Sequence, residues 1–403
     1  MTGPCVVDLP HPVPLDTATF RANPRYDLVE WGRLNAAEYA VIRGGESPEN
    51  LFGVLRPRSG DVDDDLRSVS PDTALLVMVL RTPAPLPTYL RAQLGDKLGS
   101  VIGRLLLDRV LEVEHDGRFV SGSEAAGLLS PGGQTGGEGR IGALSIAAMR
   151  YAQSLDLPDN QLAPRLYLYG RRPYCPALVR RMPDTAAVAV ALGLENGGAL
   201  SRDLDSGWME DRSKARAVSG WRSWRRRGTR RTLGQLLRIY KLYVSADLDH
   251  IASALAAIVG SGVVARTAKA FKIAGRLYDL CRADRLILYF DALEDLQQAA
   301  FDLRDRLQGC PADGVPFTAT IAGDGLLSWG VDPLLIGNRP TDAVSWRLIV
   351  TERLGRYLGE ARKQRVEGYE PWQVALQRLR LSGIDGGTWT PAESDWAKGG
   401  VRS

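Results

Sequence analysis

Between about residue 232 and residue 396, strand patterns alternate with helix patterns, and this order constrains the fold more than any other feature of the chain. The strand patterns are IYKLYVSA, AFKIA, RADRLILYF and PFTATIA. The helix patterns are ADLDHIASALAAIVGSG, for which Ser245 is the predicted N-cap, DALEDLQQAAFDLRDRLQG and SWRLIVTERLGRYLGEARKQ. The order strand–helix–strand–strand–helix–strand–helix predicts an α+β fold, with a mixed α/β domain at residues 232–403.

A second pattern lies in residues 66–122. It begins with three helix patterns, SPDTALLVMVLR, PLPTYLRAQLG and DKLGSVIGRLLLDRVLEVE. A predicted hairpin, EVEHDGRFVSG, follows, because strand-like residues flank the turn HDG. Three short helices and a hairpin are the order of a winged helix-turn-helix domain. We therefore predict a winged-helix-like region here, preceded in residues 1–65 by a helical segment, DLVEWGRLNAAEYAVIR.

Residues 123–231 have the weakest patterning and are predicted to form a linker and a basic connecting region. Residues 121–140 are rich in glycine, ALSIAAMRYAQSL predicts a helix, and RLYLYG predicts a strand, whereas residues 184–200 fit either. Residues 221–231, WRSWRRRGTRR, concentrate arginine and tryptophan. Three interpretations of these residues stay open. They form a solvated loop or helix end, they contact nucleic acid, or they bind an acidic leader peptide or a partner protein.

Composition excludes several classes of protein. Lys and Arg total 51 and Asp and Glu 47, so the net charge of +4 is not that of a polycation, and an anion site must come from local clustering. The four cysteines are far apart and none is near a histidine, so neither a zinc site nor a disulfide framework is predicted. With no secretory signal pattern and no apolar run of about 20 residues, we predict a cytoplasmic protein without a membrane span.

Basic residues on or beside the predicted strands are the remaining candidates for chemistry. Lys241 and Tyr243 are two residues apart and face the same side of a strand, and Lys272 lies within AFKIA. The other candidates are Arg282, Arg285, Arg339 and Arg347. Lys and Arg without paired carboxylates suit a doubly charged anion such as a phosphate monoester, and a lysine among other cations can act as a general base. Alternatively, these residues protect sheet edges and reach into solvent.

Residues from about Tyr240 to Trp396 resemble the HopA1-type effector family and its relatives in lanthipeptide and thioamitide biosynthesis. The resemblance lies in YKLYVSADLDHI, AFKIA, RADRLILYF and PFTATIAGDGLLSWGVDP. It implies a lyase that removes phosphate from phosphoserine or phosphothreonine in a ribosomally made precursor peptide and leaves a dehydroamino acid. It also implies a separate kinase partner, which installs the phosphate. The elimination itself calls for neither a metal nor another cofactor.

The strand order is also similar to that of bacterial phosphothreonine lyases. In those enzymes a Lys-x-His strand precedes a strand that bears a base lysine, and a phosphate-binding arginine follows. This resemblance implies that Lys241 binds phosphate, that Lys272 takes the α-proton, and that Arg282 or Arg285 also binds phosphate. Tyr243 stands where that family has its acid histidine, so here a phenol would serve as the general acid.

The winged-helix-like region resembles the leader-peptide recognition elements of peptide-modifying enzymes, which bind the leader as an added strand. DNA binding is the alternative, but DKLGSVIGRLLLDRV carries three basic residues against two acidic ones, a poor match to a phosphate backbone. Three functions stay open. They are a lyase on a phosphorylated peptide, which the resemblance favours, a non-catalytic leader-binding scaffold, and a nucleic-acid-binding regulator.

Overall fold

The computed structural model describes residues 14–36, 38–39, 50–58, 66–129, 139–211, 220–228, 239–332, 345–364 and 369–391. The chain divides into two compact units. The first comprises Met1–Gln134, Tyr357–Ile384 and Ala392–Ser403, and the second comprises Thr135–Arg356 and Asp385–Pro391. These bounds differ from the predicted segments 1–65, 66–122, 123–231 and 232–403. The predicted connecting region falls largely within the second unit.

The first unit holds two antiparallel sheets and short helices. Its strands are β1 (Thr19–Ala22), β2 (Tyr26–Glu30), β3 (Gly53–Pro57), β4 (Arg67–Val69), β5 (Ala84–Pro85), β6 (Leu111–His115) and β7 (Arg118–Val120). Its first helices are α1 (Pro71–Val79), α2 (Thr88–Leu94), α3 (Leu98–Leu107) and α4 (Gly122–Leu129). One sheet has the order β5-β1-β6-β7 and the other β2-β3-β4. Phe20, Ile102 and Leu111 are buried in the core that the first sheet shares with its helices.

Local sequence signals explain these elements. Ser70 accepts a hydrogen bond from the Thr73 amide at the start of α1, which confirms the predicted helix start. Asp116 and Gly117 have φ of 50° and 73°, as a two-residue hairpin turn requires, so the predicted hairpin is confirmed. The predicted helix in residues 1–65 is wrong at Tyr26–Glu30, which pairs with β3 as a strand.

The second unit is built on one seven-stranded antiparallel sheet of order β13-β14-β10-β12-β11-β9-β8. Its strands are β8 (Trp208–Glu210), β9 (Trp221–Arg226), β10 (Ile239–Val244), β11 (Ala270–Ala274), β12 (Leu286–Phe290), β13 (Ala319–Thr320) and β14 (Leu327–Asp332). Its helices are α5 (Gly139–Ser154), α6 (Asp159–Tyr167), α7 (Pro176–Arg181), α8 (Thr185–Ala191), α9 (Ala199–Gly207), α10 (Ile251–Val259), α11 (Gly262–Thr267), α12 (Leu277–Leu280) and α13 (Leu293–Arg306). The strands predicted in IYKLYVSA, AFKIA and RADRLILYF are confirmed as β10, β11 and β12.

The remaining elements follow the second unit's sheet along the chain. They are α14 (Trp346–Gln364), α15 (Pro371–Leu381), β15 (Ile384–Asp385) and β16 (Thr390–Pro391). Helices and antiparallel sheets together confirm the predicted α+β class. Among the helices that the structure describes, none combines the length and the apolar character needed to cross a bilayer.

Two local predictions in the second unit are wrong, and for WRSWRR the alternative of a loop or helix end is excluded. RLYLYG is not a strand, because Asp159–Tyr167 is helical despite the internal Pro164. WRSWRR is neither a loop nor a helix end but strand β9, which pairs with β11. Ser245 does not cap α10, which begins at Ile251. Its hydroxyl instead donates to the Ala283 carbonyl.

Candidate active site

The register of the second sheet places the candidate residues on one face. Residues directly opposite each other on neighbouring strands share a face. One row across the sheet consists of Arg225, Ala270, Tyr289 and Lys241, and the next consists of Ser223, Lys272, Ile287 and Tyr243. The opposite face presents Leu242, Phe271 and Leu288 to the apolar core. The polar side chains therefore collect on the face that the main core does not use.

Lys241 and Lys272 meet at one aromatic ring. Their Nζ atoms lie 5.7 and 5.9 Å from the centroid of the Tyr289 ring. Lys272 Nζ lies closer still to Trp221, at 4.3 Å from that ring's centroid. Both distances to Tyr289 and the one to Trp221 are within the range of cation–π attraction, so the two rings position the ammonium groups.

Arg282 joins this cluster through the same tryptophan. Its guanidinium carbon lies 5.4 Å from the centroid of the Trp221 ring and 5.4 Å from that of Tyr167. Arg282 also lines a cleft of about 660 Å³. The other lining residues are Asp159, Asn160, Ala163, Pro164, Tyr167, Leu168, Leu348, Glu352 and Arg356. The structure thus brings Lys241, Lys272 and Arg282 together around two aromatic rings, with an open cleft beside the arginine.

The expectation that these cations have no paired carboxylates is wrong. Arg282 Nε lies 2.9 Å from Asp284 Oδ1, and Arg347 Nη1 lies 2.7 Å from Asp284 Oδ2. Asp284 is 4% exposed. Burial alone would raise the pKa of the Asp284 carboxyl, but Arg347, Arg282 and, more weakly, Lys272 lower it well below the ordinary range. The carboxylate therefore stays charged and holds the two arginines in place.

Lys241 has its own carboxylate. Its Nζ lies 2.5 Å from Asp332 Oδ2, and both side chains are buried. Asp332 also accepts a hydrogen bond from the Trp346 amide at the start of α14. The lysine is thereby fixed on its strand, since its charge partner is tied to a neighbouring helix.

Arg285 and Arg347 have internal partners on every guanidinium nitrogen. Arg285 donates to the Arg282 and Ala246 carbonyls and to Asp313, and it is fully buried. Arg347 donates to the Pro316 and Tyr167 carbonyls besides its ion pair with Asp284. Substrate binding by these two arginines stays a prediction, and in this structure their donors stabilise the fold. Arg339 lies outside the described residues.

Tyr243 is 2% exposed, on the same strand and face as Lys241. Burial, followed by the nearby Asp332 carboxylate, raises the pKa of its phenol well above the ordinary value. Burial likewise raises the pKa of the Tyr289 phenol. Both hydroxyls are therefore neutral near pH 7. Such a phenol can donate a hydrogen bond, while complete loss of its proton is costly.

The face carries an excess of positive charge. In the part of the chain that the structure describes, its basic side chains include Lys241, Lys272, Arg225, Arg282 and Arg347, and its carboxylates include Asp284 and Asp332. Basic groups therefore outnumber carboxylates on this face, which favours an anionic ligand. Within the described ranges, no three His, Cys, Asp or Glu side chains group in a way that could hold a metal ion.

Sequence reasoning missed the contribution of β9. Trp221 contacts both Lys272 and Arg282, and Ser223 lies directly opposite Lys272. The segment could not be recognised as a strand, because Trp221 and Trp224 are three positions apart and do not form a period-two alternation, and its density of arginine resembles a solvated charge run. Tyr167 was missed as well, since it ends a helix that the pattern assigned to a strand.

No protein-family model and no curated protein matches the chain. Among solved structures it is weakly similar to the effector protein from Pseudomonas syringae pv. tomato strain DC3000. The TM-score is 0.37 at 12% identity, covering 62% of this chain and 97% of that chain. The effector protein from Pseudomonas syringae pv. syringae strain 61 gives a TM-score of 0.35 at 11% identity, covering 62% and 98%. Weak structural neighbours of the chain are thus bacterial effectors, and similarity at this level carries no argument about activity.

Proposed function

We propose that this chain is a carbon–oxygen lyase that eliminates phosphate from phosphoserine or phosphothreonine. The substrate is a ribosomally made precursor peptide, as in lanthipeptide- or thioamitide-type biosynthesis, and the product carries a dehydroamino acid. One observation carries the proposal. Lys241 and Lys272, from two different strands, converge on Tyr289, and Lys272 shares Trp221 with Arg282.

In the proposed reaction, Lys272 is the general base. Its neutral amine takes the proton from the α-carbon of the phosphorylated residue, and that electron pair forms the Cα–Cβ double bond. The Cβ–O bond breaks, and its electrons leave with the phosphate. A positioned general base contributes about 10²–10⁴-fold to such a step. Lys272 suits the role because the Trp221 ring fixes the position of its Nζ on this face of the sheet.

Binding of the phosphate is assigned to Lys241 and Arg282. The excess of cations over carboxylates on this face attracts a dianion, and burial of Lys241 limits screening by solvent. In the described part of the chain, Arg282 donates hydrogen bonds through Nε and Nη2, to Asp284 and the Tyr167 hydroxyl. Its Nη1 is therefore the nitrogen assigned to the phosphate oxygens, beside the cleft that Arg282 lines.

Stabilisation of the leaving phosphate is assigned to Tyr243. Because the pKa of its phenol is raised, the hydroxyl is protonated and can donate a hydrogen bond to the bridging oxygen as negative charge develops there. Full proton transfer from so weak an acid is not required, since phosphate is already a fair leaving group.

Binding of the leader segment of the precursor peptide is assigned to the first unit. Its strand β7 is the last strand of the sheet β5-β1-β6-β7, and an outermost strand can pair with an extended peptide. A kinase is the proposed partner that supplies the phosphorylated peptide. In this proposal the enzyme acts after that kinase and needs no cofactor of its own.

Incubation with a synthetic phosphopeptide tests the proposal. Loss of phosphoric acid, seen as a mass change together with release of inorganic phosphate, is the expected result, and the unphosphorylated peptide should stay unchanged. Leader binding without phosphate release from any phosphopeptide would instead identify a non-catalytic scaffold. Duplex binding that weakens steeply with added salt would identify a nucleic-acid-binding regulator.

A further inference from the structure

Strand β9 carries two buried polar atoms that the fold leaves without partners. Ser223 Oγ and Arg225 Nε are both shielded from solvent, and within the described ranges of the chain neither has a hydrogen-bond partner. Buried polar groups are nearly always hydrogen-bonded, so two orphaned donors on one strand call for an explanation. Ser223 and Arg225 are two positions apart on β9, so their side chains point to the same face of the sheet.

The register places these donors beside Lys272. Ser223 lies directly opposite Lys272, and Arg225 lies opposite Ala270. Directly opposed side chains have Cβ atoms about 4.5–5.5 Å apart, and diagonal neighbours lie about 7–8 Å apart. Arg225 is therefore the diagonal neighbour of Lys272 across the pair β9–β11. Both orphaned donors thus border the side chain of the proposed base.

Arg225 differs from the other arginines of the candidate site. Arg282 and Arg347 are held by Asp284, and Arg285 by Asp313. Among the residues that the structure describes, no carboxylate pairs with Arg225. Its charge is therefore available to a ligand.

The donors of β9 lie on the side of Lys272 away from Tyr243. Along the row that holds the base, Ser223 is on one side, and Ile287 and then Tyr243 are on the other. If the phosphate lies towards Lys241 and Tyr243, the backbone of the phosphorylated residue can lie towards β9. Of its two polar groups beside the α-carbon, only the carbonyl oxygen can accept hydrogen bonds from the β9 donors. As the α-proton leaves, negative charge develops on that carbonyl oxygen.

We propose that Ser223 and Arg225 donate hydrogen bonds to the α-carbonyl oxygen of the phosphorylated residue, and so stabilise the enolate-like charge that forms when Lys272 takes the α-proton. The inference rests on the proposed function and deepens it. No atom is transferred by either residue. The Ser223 hydroxyl and the Arg225 Nε–H keep their protons and point at the oxygen. Orphaned donors suit this role because they are already ordered and desolvated before the charge appears.

Kinetics and stability together test the role of Ser223. Ser223→Ala should lower kcat for phosphate release by about 10²–10³-fold with KM near the parent value, as removal of an oxyanion donor does. The same variant should unfold at the parent's denaturant midpoint or above it, because the hydroxyl removed has no partner in the free protein. Ser223→Thr, which keeps a hydroxyl, should recover most of the lost rate.

Arg225 has an equivalent pair of variants. Arg225→Lys keeps the charge and lacks the Nε–H, so it should be nearly as slow as Arg225→Ala. Ser261→Ala is the matched serine control. Its hydroxyl caps α11 and contacts Asp302, so the variant should lose stability and keep the parent kcat.

The possible failures are distinguishable. If the parent releases phosphate and Ser223→Ala and Arg225→Ala both do so at the parent kcat, the inference is overturned and the proposed function stands. If the variants that release phosphate slowly also unfold at lower denaturant midpoints, and the fall in midpoint follows the fall in kcat, the role of these residues is structural. The inference is then also overturned. If the parent releases no phosphate from any phosphopeptide, the proposed function and this inference fall together.

Discussion

Arg347 and Asp284 form a buried ion pair, with 2.7 Å between Nη1 and Oδ2 and side-chain exposures of 2% and 5%. The other carboxylate oxygen, Oδ1, accepts a hydrogen bond from Arg282 Nε. One buried negative charge therefore holds two cations, one of them structural and one at the edge of the cleft. The position of Arg282 over Trp221 depends on this carboxylate.

Asp284→Asn should be strongly destabilising. Removal of one partner from a buried ion pair costs about 3–5 kcal/mol, because the remaining charges stay buried without compensation. Urea unfolding should show this loss as a lower midpoint. Asp291→Asn is the matched control, since Asp291 pairs with Lys269 at the surface and should cost below about 1 kcal/mol. Equal midpoints for the two variants would contradict the assigned role of Asp284.

Asp284 should also make stability fall in acid. The pKa of its carboxyl is lowered in the folded chain, so the unfolded chain takes up the proton at a higher pH than the folded chain does. The stabilisation is complete above the ordinary carboxyl pKa of about 4 and is lost as pH falls below it. Unfolding free energies measured from about pH 6 down to about pH 3 should fall less steeply for Asp284→Asn than for the parent. Equal slopes would show that Asp284 does not titrate in this way.

Tyr243→Phe should slow phosphate release without abolishing it. The phenol is proposed to donate a hydrogen bond to a leaving group that can already depart, and a charge-assisted hydrogen bond of this kind contributes about 1.5–3 kcal/mol. The expected fall in kcat is therefore about 10–10²-fold, measured by inorganic phosphate release.

Tyr240→Phe is the matched control for that measurement. Tyr240 is on the same strand but packs against the apolar core on the other face, so its variant should keep the parent rate. A Tyr243→Phe enzyme as fast as Tyr240→Phe would remove Tyr243 from the mechanism.

Much of the second unit could be predicted from local pattern. The strands around Lys241 and Lys272 alternate apolar and polar residues, and that alternation follows directly from burial of one face. β9 could not be found in this way, because arginines stand on both of its faces and Phe271, on which Trp224 stacks, comes from a distant part of the chain. Likewise, the apolar and aromatic content of RLYLYG indicated a strand, yet tertiary packing holds Tyr167 in a helix.

The basic residues of the candidate site could be predicted from the sequence, whereas the carboxylates that pair with them could not. Spacing placed Lys241 and Tyr243 on one face, and the structure agrees. Asp332 and Asp284 reach these cations only through the register of the folded sheet and the packing of α14, which no local pattern encodes. Ser223 was hidden for the same reason, since its neighbour Lys272 is 49 positions further along the sequence.

The most direct measurement is the rate of phosphate release from a phosphopeptide by Lys272→Ala, beside Lys269→Ala as the matched lysine control. Lys269 is partly exposed and its Nζ pairs with Asp291. We expect Lys272→Ala to lose about 10²–10⁴-fold in rate while it binds the phosphopeptide as the parent does, and Lys269→Ala to match the parent in both. Phosphate release by Lys272→Ala at the parent rate would contradict the account.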